Sequence, residues 1–131
     1  MSDGRELINK VDAVTVAVPT SSHREVSESF LAAGIPVMLE KPIAHTLNDA
    51  ESIVDLAESN GCLLQIGHLE RFNAGVERLH QELKRPRFIE VHRLGEFVER
   101  AADVDVVTDL MIHDIDIVLS LVEAQLTYVS A

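Results

Sequence analysis

An α/β fold built on parallel strands is what the sequence predicts, and two patterns in its first half predict it. Short apolar runs alternate with helical segments, and turn-forming residues punctuate those runs. Strand, helix, strand, helix, strand at this spacing is the signature of right-handed βαβ units. An all-helical fold is excluded by the same punctuation, which brackets residues 12–18 and 62–66 as strands at both ends.

Residues 12–18 (DAVTVAV) are dominated by β-branched side chains, the composition of a buried strand. Pro19-Thr20-Ser21-Ser22 ends the run and offers hydroxyls for an N-cap. Glu25 and Glu28 then fall in the early turns of a helix expected over residues 22–33, with Gly34 as its stop. Residues 36–39 form the next short strand. Thr46 or Asn48 caps a helix running to Ser59, Asn60-Gly61 closes it, and residues 62–66 are the third strand. The second half changes character. A helix is expected over residues 74–84, with Val76, Leu79 and Leu83 on one face, and Pro86 breaks it. Residues 87–94 (RFIEVHRL) alternate apolar and polar like a strand covered on one face. A polar crossing at 96–105 leads to a strongly apolar helix over 106–122, expected to be buried, and residues 126–129 read as a last strand. The boundary between the two halves is expected near Phe72.

Composition narrows the function. At 131 residues, 47% hydrophobic and 25% charged, the chain has the make-up of a soluble globular protein with a real core. Lys and Arg number 11 against 22 Asp and Glu, a formal net charge of -11 that argues against nucleic acid or an anionic membrane as partner. The apolar runs are short of a membrane span, and the first residues carry no signal-peptide core, so a cytoplasmic location is expected. A lone cysteine, Cys62, permits no internal disulfide and no cysteine-based zinc site.

Chemistry-bearing residues gather in two places. At 100° per residue, Asp109, His113, Asp116 and Ser120 fall within about 60° of one another on the apolar helix, and Asp114 points away. Asp109 and His113, at i and i+4, can meet, and a carboxylate beside an imidazole raises its basicity and fixes its tautomer, as a general base requires. The same pair can also serve structure alone by satisfying itself. His113-Asp114 with Asp109 and Asp116 offers oxygen and nitrogen ligands, but Asp114 diverges from the rest and no metal site is expected. The other place is the carboxyl edge of the expected sheet, where open α/β sheets bind ligands. Thr20 and His23 follow the first strand, Glu40-Lys41-Pro42 the second, and Gly67-His68-Leu69-Glu70-Arg71-Phe72 the third.

Pro19-Thr20-x-x-His23, Glu40-Lys41-Pro42, Gly67-His68-x-x-Arg71-Phe72 and Asp109-x-x-x-His113 occur in the order and spacing of the Gfo/Idh/MocA oxidoreductases, which the chain resembles along nearly its whole length. GHLERFN and DLMIHDID most resemble the branch that oxidises UDP-N-acetylglucosamine for lipid A synthesis. The resemblance implies an enzyme using NAD or NADP to take hydride from a carbon of a sugar or sugar nucleotide and a proton from its hydroxyl. It implies Lys41 and His113 as the acid/base pair with Asp109 orienting His113. It places Pro19, Thr20, His23, Glu40 and Arg71 around the nicotinamide half of the cofactor. It also makes Lys41-Pro42 a candidate cis peptide.

One departure is large. A Rossmann domain carries G-x-G-x-x-G in its first βα turn and an acidic residue about 20 positions on. Gly4, Gly34, Gly61, Gly67, Gly75 and Gly95 contain no such spacing. The expected fold class is therefore α/β, with residues 1–72 as the second half of a Rossmann-type parallel sheet. Residues 73–131 would open the family's C-terminal α+β domain, which binds substrate and builds oligomers. Residues 12–18 would then be a central strand lacking its neighbour, a long apolar edge that seeks a partner, so a homo-oligomer is expected. The alternative is an inactive, self-associating fragment that binds no cofactor.

Overall fold

The computed structural model describes residues 3–94 and 105–131. All but Asp105 of the polar crossing at 96–105 lies outside the described residues. The chain divides into two compact units, Met1–Gly67 and His68–Ala131.

In the first unit three parallel strands, β1 (Val14–Val16), β2 (Val37–Leu39) and β3 (Leu64–Ile66), stand side by side in chain order. Val14, Val37 and Leu64 share one rung, and Val16, Leu39 and Ile66 another. Helix α1 (His23–Leu31) joins β1 to β2, and α2 (Leu47–Ser59) joins β2 to β3. The core lies between one face of the sheet and these two helices. Val16, Val37 and Leu39 meet Phe30 and Leu31 of α1, Ile53 and Ala57 of α2, and Ile35. The opposite face carries Thr15, Met38 and Gln65 and lines a shallow open hollow.

The strands are shorter than their apolar runs. The seven residues expected for the first strand reduce to three, because among the described residues β1 lies at the sheet edge and pairs only with β2. Its ladder can run no further than that neighbour. The helix starts also differ from expectation. Thr20–Ser22 forms a 3₁₀ turn and α1 begins at His23 without a side-chain cap. The turn's own backbone does that work, with the Ser22 amide donating to the Pro19 carbonyl at 2.8 Å. Thr46 does cap α2, accepting from the Asp49 amide at 3.1 Å and donating to its carboxylate at 2.7 Å. Gly34 and Gly61 hold the left-handed conformation expected of helix stops, at φ 73° and 57°. Their followers reach back five residues, the Ile35 amide to the Phe30 carbonyl and the Cys62 amide to that of Ala57.

In the second unit a 3₁₀ turn at Leu69–Phe72 precedes α3 (Ala74–Glu82), whose start Asn73 caps through the Gly75 amide. A π-helical turn, Val107–Met111, runs into α4 (Ile112–Leu121). Three expectations fail here. Residues 87–94 and 126–129 are not strands: each lacks a ladder partner among the described residues, and Phe88, Leu94 and Tyr128 are exposed. The apolar helix is neither regular nor buried. Val106, Leu110, Ile115 and Leu119 are exposed, and Asp116 is its one buried residue. Alternation or greasiness alone specifies an element only where a partner surface exists to receive it. Among the described residues no helix is long and apolar enough to cross a membrane.

Leu39, fully buried in the central strand, gives the test of this core. Leu39→Ala should cost about 3 kcal/mol in urea unfolding, whereas Met38→Ala on the open face should cost under about 1 kcal/mol.

Candidate active site

Parallel strands end together, so the loops that follow them collect along one edge. The Glu40 amide donates to the Val16 carbonyl at 3.1 Å and the Gly67 amide to that of Leu39 at 2.7 Å, which carries the sheet bonding one step into each loop. Pro19 is exposed, while Thr20, Glu40 and Lys41 are half-buried beside the strand ends. The Lys41-Pro42 bond is cis, as expected. A Cβ on Gly67 would lie 3.1 Å from Glu40 Oε2 and 3.4 Å from Glu40 Cα, so the glycine lets Glu40 pass close over the end of β3. His23 differs from its rim neighbours. It is 1% exposed, and its Nδ1 and Nε2 stand 2.9 Å from the Pro42 carbonyl and 3.0 Å from that of Val18.

In the second unit the polar centre is Asp116, 9% exposed on α4. Arg71, from the Leu69–Phe72 turn, grips it with both arms of its guanidinium: Nε donates to Oδ2 at 2.7 Å and Nη2 to Oδ1 at 2.5 Å. His68 Nδ1 lies 3.8 Å from the same carboxylate. The Arg71 hydrogen bonds hold the Asp116 carboxyl below its ordinary range, against the opposing effect of burial, and the charges of His68, Arg71 and His113 add to the lowering. One helical step away Asp114 points elsewhere, to Arg93, which donates to it at 2.8 and 2.7 Å and lowers it likewise. Ser120 Oγ sits 3.1 Å from His80 Nε2 and donates to the Ile117 carbonyl.

The expected polar stripe is therefore divided by the helix geometry. Asp116 and Ser120 share a side of α4, with Asp114 directed away as the wheel requires. Asp109 lies in the π turn, whose wider winding changes its angle to His113 from that of a regular helix. Both residues are half-buried. Sequence reasoning put Asp116 on the right stripe but gave it no partner, and the only signal was an acidic residue held in an apolar helix. Among the described residues no group of three or more metal-ligating side chains is gathered.

Thr20, Glu40 and Lys41 supply hydroxyl, carboxylate and ammonium groups at the sheet's ligand edge, a donor set that fits the polar amide and ribose of a nicotinamide nucleoside. The chain carries no glycine-rich turn to cradle a pyrophosphate.

Residues 1–68 match the model of the Gfo/Idh/MocA family, an oxidoreductase family with an NAD-binding Rossmann fold. UDP-N-acetylglucosamine 3-dehydrogenase of Acidithiobacillus ferrooxidans is 38% identical over 120 residues, which are 91% of this chain and 38% of that protein. A solved structure of that enzyme superposes with a TM-score of 0.88 at 36% identity, covering 95% of this chain and 42% of the other. Inositol 2-dehydrogenase of Agrobacterium fabrum is 33% identical over 136 residues, 98% of this chain and 40% of the relative. The chain thus spans about two-fifths of the length of the curated relatives it matches.

The Arg71–Asp116 pair sets a pH dependence. A carboxyl lowered in the folded state contributes stability that is full above its unfolded value and is lost as the pH falls through the folded one. Asp116→Asn should lower stability at pH 7 by about 2 kcal/mol, since it strips Arg71 of its partner. It should also flatten the fall in stability below about pH 5, read by urea unfolding at a series of pH values.

Proposed function

Because the chain belongs to the Gfo/Idh/MocA oxidoreductase family, we propose that it is part of an NAD(P)-dependent dehydrogenase acting on a secondary hydroxyl of a sugar or sugar nucleotide. The observation that carries this reading is the rim itself, where Lys41 follows the central strand, flanked by Thr20 after β1 and Gly67 after β3. A bound nicotinamide would supply the hydride acceptor. The chain's own residues handle the proton. Lys41 and His113 act as acid and base toward the substrate hydroxyl, and Asp109 fixes the orientation of the imidazole that accepts the proton. Pro19, Thr20 and Glu40 bound the nicotinamide half, while Arg71, gripped by Asp116, acts there through its outer edge. Similarity to an enzyme named for UDP-N-acetylglucosamine, together with the segments GHLERFN and DLMIHDID, favours a UDP-linked amino sugar as substrate, lipid A synthesis as the setting and the cytoplasm as the place.

A second reading rests on the sheet edge. Among the described residues β1 pairs with β2 alone, and Ala13, Thr15 and Ala17 beside and within it are exposed. In parallel pairing Val14 and Val16 bond toward β2, which leaves the Thr15 backbone groups facing outward. This favours antiparallel self-pairing of β1 across a two-fold axis. A monomer by sizing at micromolar concentration would remove it.

Calorimetric titration with NADH and NADPH tests the first reading. Saturable micromolar binding is expected, and Lys41→Met and His113→Asn should then lower turnover of the sugar nucleotide at least 100-fold with cofactor affinity little changed. Absence of binding at millimolar cofactor would overturn that reading for this chain and leave the self-associating fragment.

A further inference from the structure

We propose that His23 is a positioning residue that straps the Lys41-Pro42 turn to the loop leaving β1, and is not a wall of the cofactor site. The inference rests on the reading of Lys41 as the rim's acid/base group. At 1% exposure the ring offers no surface to a ligand. Its two nitrogens instead face two backbone carbonyls from different loops, Val18 after β1 and Pro42 after β2. Both partners are pure acceptors. A neutral imidazole brings one N–H and an imidazolium two, so the ring satisfies one carbonyl in either neutral tautomer and both when doubly protonated.

The choice of histidine follows from this geometry. Its nitrogens lie on different edges of one rigid plane, so a single buried side chain can hold two loops at a fixed separation. Asparagine and glutamine carry both N–H groups on one nitrogen, so they cannot donate to carbonyls on two different sides at once, as the doubly protonated ring can. The strap also has a firm base. His23 opens α1, whose Phe30 and Leu31 are buried in the core, so the ring is anchored to the part of the unit least able to move. Lys41 is covalently next to Pro42, and the Glu40 amide before it is held by the Val16 carbonyl. The backbone carrying Lys41 is thus fixed on one side by the sheet and on the other by His23. A proton-transfer group misplaced by about 1 Å can cost roughly 100-fold in rate, which is what such a double hold protects against.

Two measurements test the strap. The chain has three lysines, Lys10, Lys41 and Lys84, so ¹³C-dimethylation gives a spectrum of three side-chain signals. In His23→Gln and His23→Asn the Lys41 signal should shift while those of Lys10 and Lys84 stay in place. A Lys41 signal unmoved in a folded variant overturns the proposal. In the unsubstituted chain, a ring N–H of His23 should exchange slowly enough to be observed at neutral pH, unlike the rings of exposed His45 and His92. A His23 ring exchanging as fast as those two overturns the proposal even if both variants fail to fold. Neither readout needs Lys41 to move a proton. A strap that behaves as expected beside a failed cofactor titration would refute the dehydrogenase reading and leave the positioning geometry standing.

Discussion

Parallel pairing is the constraint on which the first unit depends. Strands that run the same way cannot be joined by tight turns, so each connection must cross back over the sheet, and a helix is the economical way to do it. Here both crossings lie on one face, and Phe30, Leu31, Ile53 and Ala57 close over Val16, Val37 and Leu39. The same constraint brings every carboxyl end to one edge. Two of the three loops there begin with an amide bonded to the strand beside it, Glu40 to Val16 and Gly67 to Leu39. The rim's polar residues are therefore placed by the ladder before any of them interacts with another.

What was legible in the sequence follows from how locally each feature is determined. Gly34, Thr46 and Gly61 act through their own φ angle or a hydroxyl three residues from its target, and they mark the helix ends where expected. The three β-rich runs also read correctly, because βαβ spacing is itself local. Their lengths did not, since a ladder ends where the neighbour ends. Residues 87–94 show the same limit more sharply. Alternation states which face of a strand would be covered, but it does not supply the strand that must pair with it, and Phe88 and Leu94 stand exposed.

The candidate site was legible as a set of residues and illegible as a set of contacts. Motif order put Thr20, Glu40 and Lys41 on one rim because each follows a strand. Helical spacing put Asp116 on a polar stripe. Its partner, Arg71, lies 45 residues earlier in the chain, beyond the reach of any periodicity. The contacts of His23 were hidden for a related reason. As a residue after a strand it reads as a rim group, yet packing turned it inward onto two carbonyls that no side-chain pattern encodes. A regular 100° wheel likewise missed the π turn between Asp109 and His113.

Electrostatics ties these observations together. With a net charge of -11, the chain as a whole repels anionic ligands such as a dinucleotide or a sugar nucleotide. Five of its eleven Lys and Arg side chains are engaged with carboxylates of the chain itself: Arg5 with Asp3, Arg24 with Glu28 and Asp49, Arg71 with Asp116, Arg78 with Glu82 and Arg93 with Asp114. Long-range steering therefore cannot be the source of affinity for such a ligand. In the dehydrogenase reading, recognition of such a ligand rests on short-range groups at fixed positions, and the backbone ladder is what fixes the loops that carry them. In the strap proposed above, a buried ring that touches only carbonyl oxygens would hold the backbone of the half-buried Lys41. In an acidic protein the placement of one ammonium group at the ligand edge cannot be left to the general field, so it has to be built into the loop that carries it.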